Sequence, residues 1–129
     1  MAERNRLHPA QRALVYVALL ALVVTGCLWE ADVARALLMK IHGAAAMVTL
    51  VLFGVLIARH VPTGWSAERA NRLSGVLLLA TSLWLTLTGY VLYYSGSESL
   101  RDYASQTHFW VGVAFVAVFA LHQVRIGTG

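Results

Sequence analysis

The chain carries five histidines, and four of them stand in pairs at the ends of two apolar runs. His42 and His60 bracket "HGAAAMVTLVLFGVLIARH", and His108 and His122 bracket "HFWVGVAFVAVFALH". A helical residue advances about 100°, so the 18-residue step from His42 to His60 closes five turns, and the 14-residue step from His108 to His122 stops about 40° short of four. Each run therefore carries both of its histidines on one helical face. A single histidine at the end of an apolar run is ordinarily an interfacial residue, but an ionisable group inside a bilayer is costly and is kept for a partner or a function. Imidazoles facing one another in a helical bundle supply the two axial nitrogens that low-spin haem iron takes. The residues between them suit that chemistry. Ala46, Thr49 and Gly112 are small where a flat macrocycle needs room, and Phe53, Phe115 and Phe119 would fill the space between two macrocycles. Arg59 and Arg125 stand beside His60 and in the turn after His122, where a guanidinium pairs with a propionate carboxylate. Phenylalanine at helical spacing also reads as core, and Gly112 as a close helix contact.

Membrane helices are needed to position such residues. Of 129 residues, 59% are hydrophobic and 12% charged, and the mean hydropathy is +0.67. That composition excludes an ordinary soluble domain. Four spans of the required length, roughly 20 residues each, are expected at about 12–29, 40–60, 72–94 and 107–123. They predict an all-α fold, an integral-membrane four-helix bundle running up-down-up-down as a single domain. The second and fourth helices then run the same way, which puts His42 with His108 near one surface and His60 with His122 near the other. Arg4, Arg6 and Arg12 precede the first span as they would in a signal peptide, but no small-residue cleavage site follows, so the span reads as a mature helix. Cys27 is the sole cysteine and no C-x-x-C-H motif occurs, so any haem is held without a covalent link.

Arg4, Arg6, Arg12, Arg59, Arg69, Arg72 and Arg125 fall on the side of the two termini and the second loop, against Glu3 and Glu68. The first and third loops carry Arg35, Lys40 and Arg101 against Glu30, Asp32, Glu98 and Asp102. The positive-inside rule predicts a multi-pass protein with both termini cytoplasmic; that its membrane is the bacterial cytoplasmic (inner) membrane is an expectation of the resemblance named below. The sequence pI near 9.7 then reflects a basic rim suited to anionic headgroups, with no sign of nucleic-acid binding. Trp29, Tyr93, Tyr94 and Trp110 fall near the outer interface and Trp65 near the inner one.

A weak internal repeat is visible: "NRL" at 5–7 leads to "VVTG" at 23–26, and "NRL" at 71–73 leads to "TLTG" at 86–89. Each half continues through an acidic loop into a histidine-bearing span, and chance similarity between apolar helices would look much the same. The histidine ladders differ in length, about 27 Å from His42 to His60 and about 21 Å from His108 to His122. A tilted second helix, or a last turn loosened ahead of Pro62, would close the gap. Alternatively His8, just before the first span, replaces His60 as partner of His122.

"TG" closing the first and third spans, "KIHG" opening the second, and the fourth-span run quoted above together resemble the bacterial four-helix di-haem cytochrome b group. That group includes cytochrome b561-like proteins and the cytochrome b subunits of nickel hydrogenases and formate dehydrogenases. The resemblance covers nearly the whole chain through short motifs. It implies two haem b groups, with His108 and His122 each ligating one and His42 the second ligand of the outer iron. Members of the group take the remaining inner ligand from the first or the second helix. The first span here contains no histidine, which favours His60 over His8.

The expected function is an electron-transport cytochrome of a respiratory chain, carrying electrons across the bilayer or between quinone and a periplasmic redox protein. A c-type cytochrome is the expected partner, and little chain lies outside the membrane to do more, which suggests a subunit of a larger redox complex. Two other readings compete. A stand-alone quinone-linked oxidoreductase, like the superoxide-oxidising members of the group, needs convergent polar groups at the outer mouth, where Glu30, Asp32, Lys40 and Arg101 are the candidates and ordinary loop solvation the plainer account. A non-redox membrane protein binding zinc or copper through its histidines needs third and fourth ligands that the spans do not supply beside either pair.

Overall fold

The computed structural model describes residues 8–67 and 71–127. Glu3, Arg4, Arg6, Glu68, Arg69 and the first "NRL" lie outside the described residues. The fold is all-α, with four helices in the order α1 (Pro9–Glu30), α2 (Arg35–Ala67), α3 (Arg72–Tyr94) and α4 (Glu98–Gly127). At about 1.5 Å per residue, α1 and α3 are about 33 and 35 Å long, close to the roughly 30 Å of a hydrocarbon core, while α2 and α4 reach about 50 and 45 Å. Each helix is long and apolar enough to cross a membrane, yet only 6–11% of its most apolar stretch is buried within the protein. Apolar surface on that scale is stable against lipid and not against water, so the chain is a multi-pass membrane protein.

α2 and α4 overrun the spans expected from hydropathy. α2 begins at Arg35 and passes through Pro62 to Ala67, so the loosened turn expected ahead of Pro62 is not formed. A proline removes one N–H from the ladder and its ring crowds the preceding turn, a defect that membrane helices tolerate by small local adjustments. α4 begins at Glu98 rather than near 107, with Ser97 Oγ accepting from the Leu100 N–H at 3.4 Å. A polar first turn ends an apolar run without ending a helix.

The chain packs as two compact units, one running to Thr63 and one starting at Gly64. The first is built on α1 and most of α2, joined by residues 31–34. Asp32 and Ala34 there take positive φ, 59° and 39°, a region that Asp tolerates and Ala adopts at a cost. Arg35 closes the turn, 2.8 Å from the Asp32 carboxylate and stacked over the Trp29 ring at 5.4 Å. The second unit is built on α3 and α4, joined by Ser95, Gly96 and Ser97. Thr88 meets His108 and Ser74 meets His122, each pair of contacts 14 residues apart along its helix, so α3 and α4 run antiparallel and in step.

Candidate metal centre

Three histidines have the same kind of surroundings, one in the first unit and two in the second. Nδ1 of His42 lies 2.7 Å from Thr25 Oγ1 of α1, Nδ1 of His108 lies 2.8 Å from Thr88 Oγ1 of α3, and Nδ1 of His122 lies 2.7 Å from Ser74 Oγ of α3. The imidazoles are half-buried, and the hydroxyl residues are only 5–6% exposed. The local reason is the habit of Ser and Thr within a helix: the hydroxyl returns to a carbonyl one turn back, which fixes its rotamer and leaves its oxygen lone pairs as a laterally placed acceptor. Thr25 donates to Ala21 O at 2.6 Å, Thr88 to Trp84 O at 2.8 Å and Ser74 to Asn71 O at 3.0 Å.

The glycine that follows each threonine completes a small platform. A Cβ added at Gly26 would stand 3.8 Å from His42 Cε1, and one at Gly89 would stand 3.7 Å from His108 Cε1, both ordinary van der Waals distances. The "TG" pair thus presents a hydroxyl to Nδ1 and a bare backbone beside Cε1. The same trio occurs in each unit, Thr25, Gly26 and His42 in the first and Thr88, Gly89 and His108 in the second. Thr and His are 17 residues apart in one and 20 in the other, the difference being roughly one extra turn at the start of α4.

The remaining sequence-derived residues are placed differently. His60 and Arg59 are exposed, near the end of α2. His8 is exposed and caps α1: its Nδ1 accepts from the Ala10 N–H at 3.3 Å while its own backbone N–H donates to Gln11 Oε1 at 3.3 Å. Arg125 belongs to α4, but its side chain lies outside the described residues. Gly112 faces Leu85, whose Cδ2 would be 3.9 Å from an added Cβ. Thr49 is buried and donates to Ala45 O at 2.8 Å, and Ala46 and Phe53 are half-buried. Phe115 is buried and stacks on Phe119, with centroids 6.2 Å apart and planes within 14°. Glu30, Asp32, Lys40 and Arg101 are exposed, and Asp32 is joined to Arg35.

Sequence reasoning marked the "TG" pairs as motifs but missed what they do. It missed Ser74 altogether. The available signal was the recurrence of threonine one residue before glycine at the same end of two odd-numbered spans, each followed by a histidine at the start of the next.

Two questions of fit follow. A four-coordinate zinc site needs more donors than a pair of imidazoles, and among the described residues no three His, Cys, Asp or Glu side chains group together. A bis-histidine haem site takes one imidazole nitrogen from each of two histidines. A histidine whose Nδ1 is turned to a neighbouring hydroxyl offers Nε2, at the opposite edge of the ring, as its ligating atom, the arrangement usual for metal-bound imidazole. His42, His108 and His122 fit that use. The chain matches no known protein family, and neither a curated protein nor a solved structure matches it.

Proposed function

We propose that the chain is a di-haem b-type membrane cytochrome of the kind its motifs resemble, carrying electrons across the bilayer or between quinone and a periplasmic redox protein. The observation that carries this reading is the threefold recurrence of a half-buried imidazole whose Nδ1 meets a buried hydroxyl on the neighbouring helix. Haem iron, when bound, cycles between its ferric and ferrous states and supplies the one-electron chemistry.

The residues of the chain do the rest. His42, His108 and His122 would serve as iron ligands, and a fourth histidine would complete the set that two haems need. His60 takes that fourth place ahead of His8, because a neutral imidazole that accepts at Nδ1 in a helix cap carries its proton on Nε2, the atom a metal would need. Ala46 would leave room for a planar group, whereas Gly112 is a close contact with Leu85 of α3, and Arg59 and Arg125 would serve the carboxylates of such a group. The lipid-facing helices keep water from the path. The exposed Glu30, Lys40 and Arg101, which the structure places in the ends of α1, α2 and α4, serve as solvated surface for a partner, a c-type cytochrome on this reading.

The test is a reduced-minus-oxidised visible spectrum with a pyridine haemochrome count on detergent-purified protein. Two haems b per chain in the wild type and one in His60→Ala are expected. A colourless protein refutes the cytochrome, and an unchanged count in His60→Ala returns the fourth ligand to another residue.

A further inference from the structure

A hydroxyl has one hydrogen to give, and in the three histidine contacts the position of that hydrogen can be worked out. Thr25 Oγ1 lies 2.6 Å from the carbonyl oxygen of Ala21, and Thr88 Oγ1 lies 2.8 Å from that of Trp84. Two oxygens approach so closely only with a proton between them, so each hydroxyl donates to its carbonyl and faces the imidazole as an acceptor. The histidine must then be the donor: Nδ1–H of His42 faces Thr25, with the Leu22 backbone carbonyl as a further acceptor for the ring, and Nδ1–H of His108 donates to Thr88. Ser74 stands in the same relation to His122 with a longer bond to Asn71 O, 3.0 Å, and its hydrogen is held less firmly.

We propose that Thr25, Thr88 and Ser74 are positioning residues whose hydroxyls commit His42, His108 and His122 to the Nδ1–H tautomer and so select Nε2 as the ligating atom. Which nitrogen of an imidazole keeps its proton is set by the hydrogen bond that the other makes. The tautomer half of the proposal stands on the geometry alone; its redox half rests on the cytochrome reading above. An acceptor on Nδ1–H makes the imidazole more basic, and a more basic ligand favours ferric over ferrous iron. Removing the acceptor therefore raises the midpoint potential. The two threonines, with the shorter carbonyl bonds, exert the larger effect and the serine the smaller.

The experiment uses the full-length chain in detergent. Nuclear magnetic resonance of 15N-histidine-labelled protein, reduced so that low-spin iron is diamagnetic, reads the protonated nitrogen of each ring, and redox titration of the same samples reads the potentials. The variants are Thr25→Val, Thr25→Ser, Thr88→Val, Thr88→Ser and Ser74→Ala. Thr86→Val is the matched control, since the Thr86 hydroxyl makes the same return to a carbonyl, Ser82 O at 2.8 Å. Nδ1–H is expected on His42, His108 and His122 in the wild type. Thr25→Val and Thr88→Val should each raise the midpoint potential of one haem, a tenfold shift of its ferric-to-ferrous equilibrium reading as about 59 mV for a one-electron couple. The serine variants should restore the wild-type value, and Thr86→Val should leave it unchanged.

Nε2–H on His42 and His108 in the wild type overturns the proposal, as do valine variants that shift no more than Thr86→Val. If a valine variant fails to accumulate, the wild-type tautomers and the serine variants decide. A wild type without haem refutes the cytochrome reading, while the protonation pattern still decides the tautomer.

Discussion

Replacing His108 and His122 by alanine, singly and together, tests whether α4 serves two separate sites. The two residues are 14 positions apart on one unbroken helix, about 21 Å, and each has its own hydroxyl partner on α3. Perturbations farther apart than about 7–10 Å with no shared partner add to within about 0.5 kcal/mol, so losing one imidazole should change affinity at the other site by no more than about twofold. At its own site the loss is that of an axial ligand, and it must exceed the 10–100-fold that removing a mere hydrogen-bond partner of a ligand costs. The hairpin itself should survive. In His108→Ala the Thr88 hydroxyl still donates to Trp84 O, so no buried donor is orphaned and the polar cost is that of one net hydrogen bond, about 1 kcal/mol. The assay is haem per chain by pyridine haemochrome, with helicity and elution volume as controls for folding. Each single variant should hold one haem of the two and the double variant none. A single substitution that empties both sites of a folded protein, or that empties neither, refutes the two-site reasoning.

Two further outcomes are expected. His8→Ala should loosen the first turn of α1, a capping loss of about 0.5–2 kcal/mol, seen as faster amide hydrogen exchange at Ala10 and Gln11, while haem content stays at the wild-type value. Ala34→Gly should stabilise the α1–α2 turn by about 1 kcal/mol by relieving the side chain from its positive φ, measured as a rise in the denaturant midpoint of the purified protein.

The four spans were legible because apolar length is a sufficient signal for crossing a bilayer. Their ends were not, because hydropathy reports where lipid stops and the backbone ladder continues beyond it. Residues 98–106 are polar enough to leave the apolar run yet extend α4 by about two turns, and Pro62 marks a weak point that α2 nevertheless passes. That His108 and His122 share one face of α4 was legible from the 3.6-residue period alone. The hydroxyls that meet them were not, since a threonine on one helix and a histidine on the next are matched by the turn between them, and one additional helical turn separates Thr25 with His42 from Thr88 with His108. Ser74 is also followed by a glycine, Gly75, but it stands at the start of α3 rather than near its end, and only the antiparallel register of α3 and α4 brings it to His122. His8 looked like a spare ligand because sequence gives a residue type but not which ring nitrogen a helix start has already claimed.

The closed hydrogen bonding of these helices bears on the order of biogenesis. The hydroxyls of Thr81, Ser82 and Thr86 all return to carbonyls of α3, and the ring N–H groups of three histidines are met by Thr25, Ser74 and Thr88. The polar cargo of the spans is thus neutralised from within the polypeptide. Such a chain can be inserted and held in the bilayer without a prosthetic group, and on the cytochrome reading haem delivery would then be a late, separable event of maturation rather than a condition for entering the membrane.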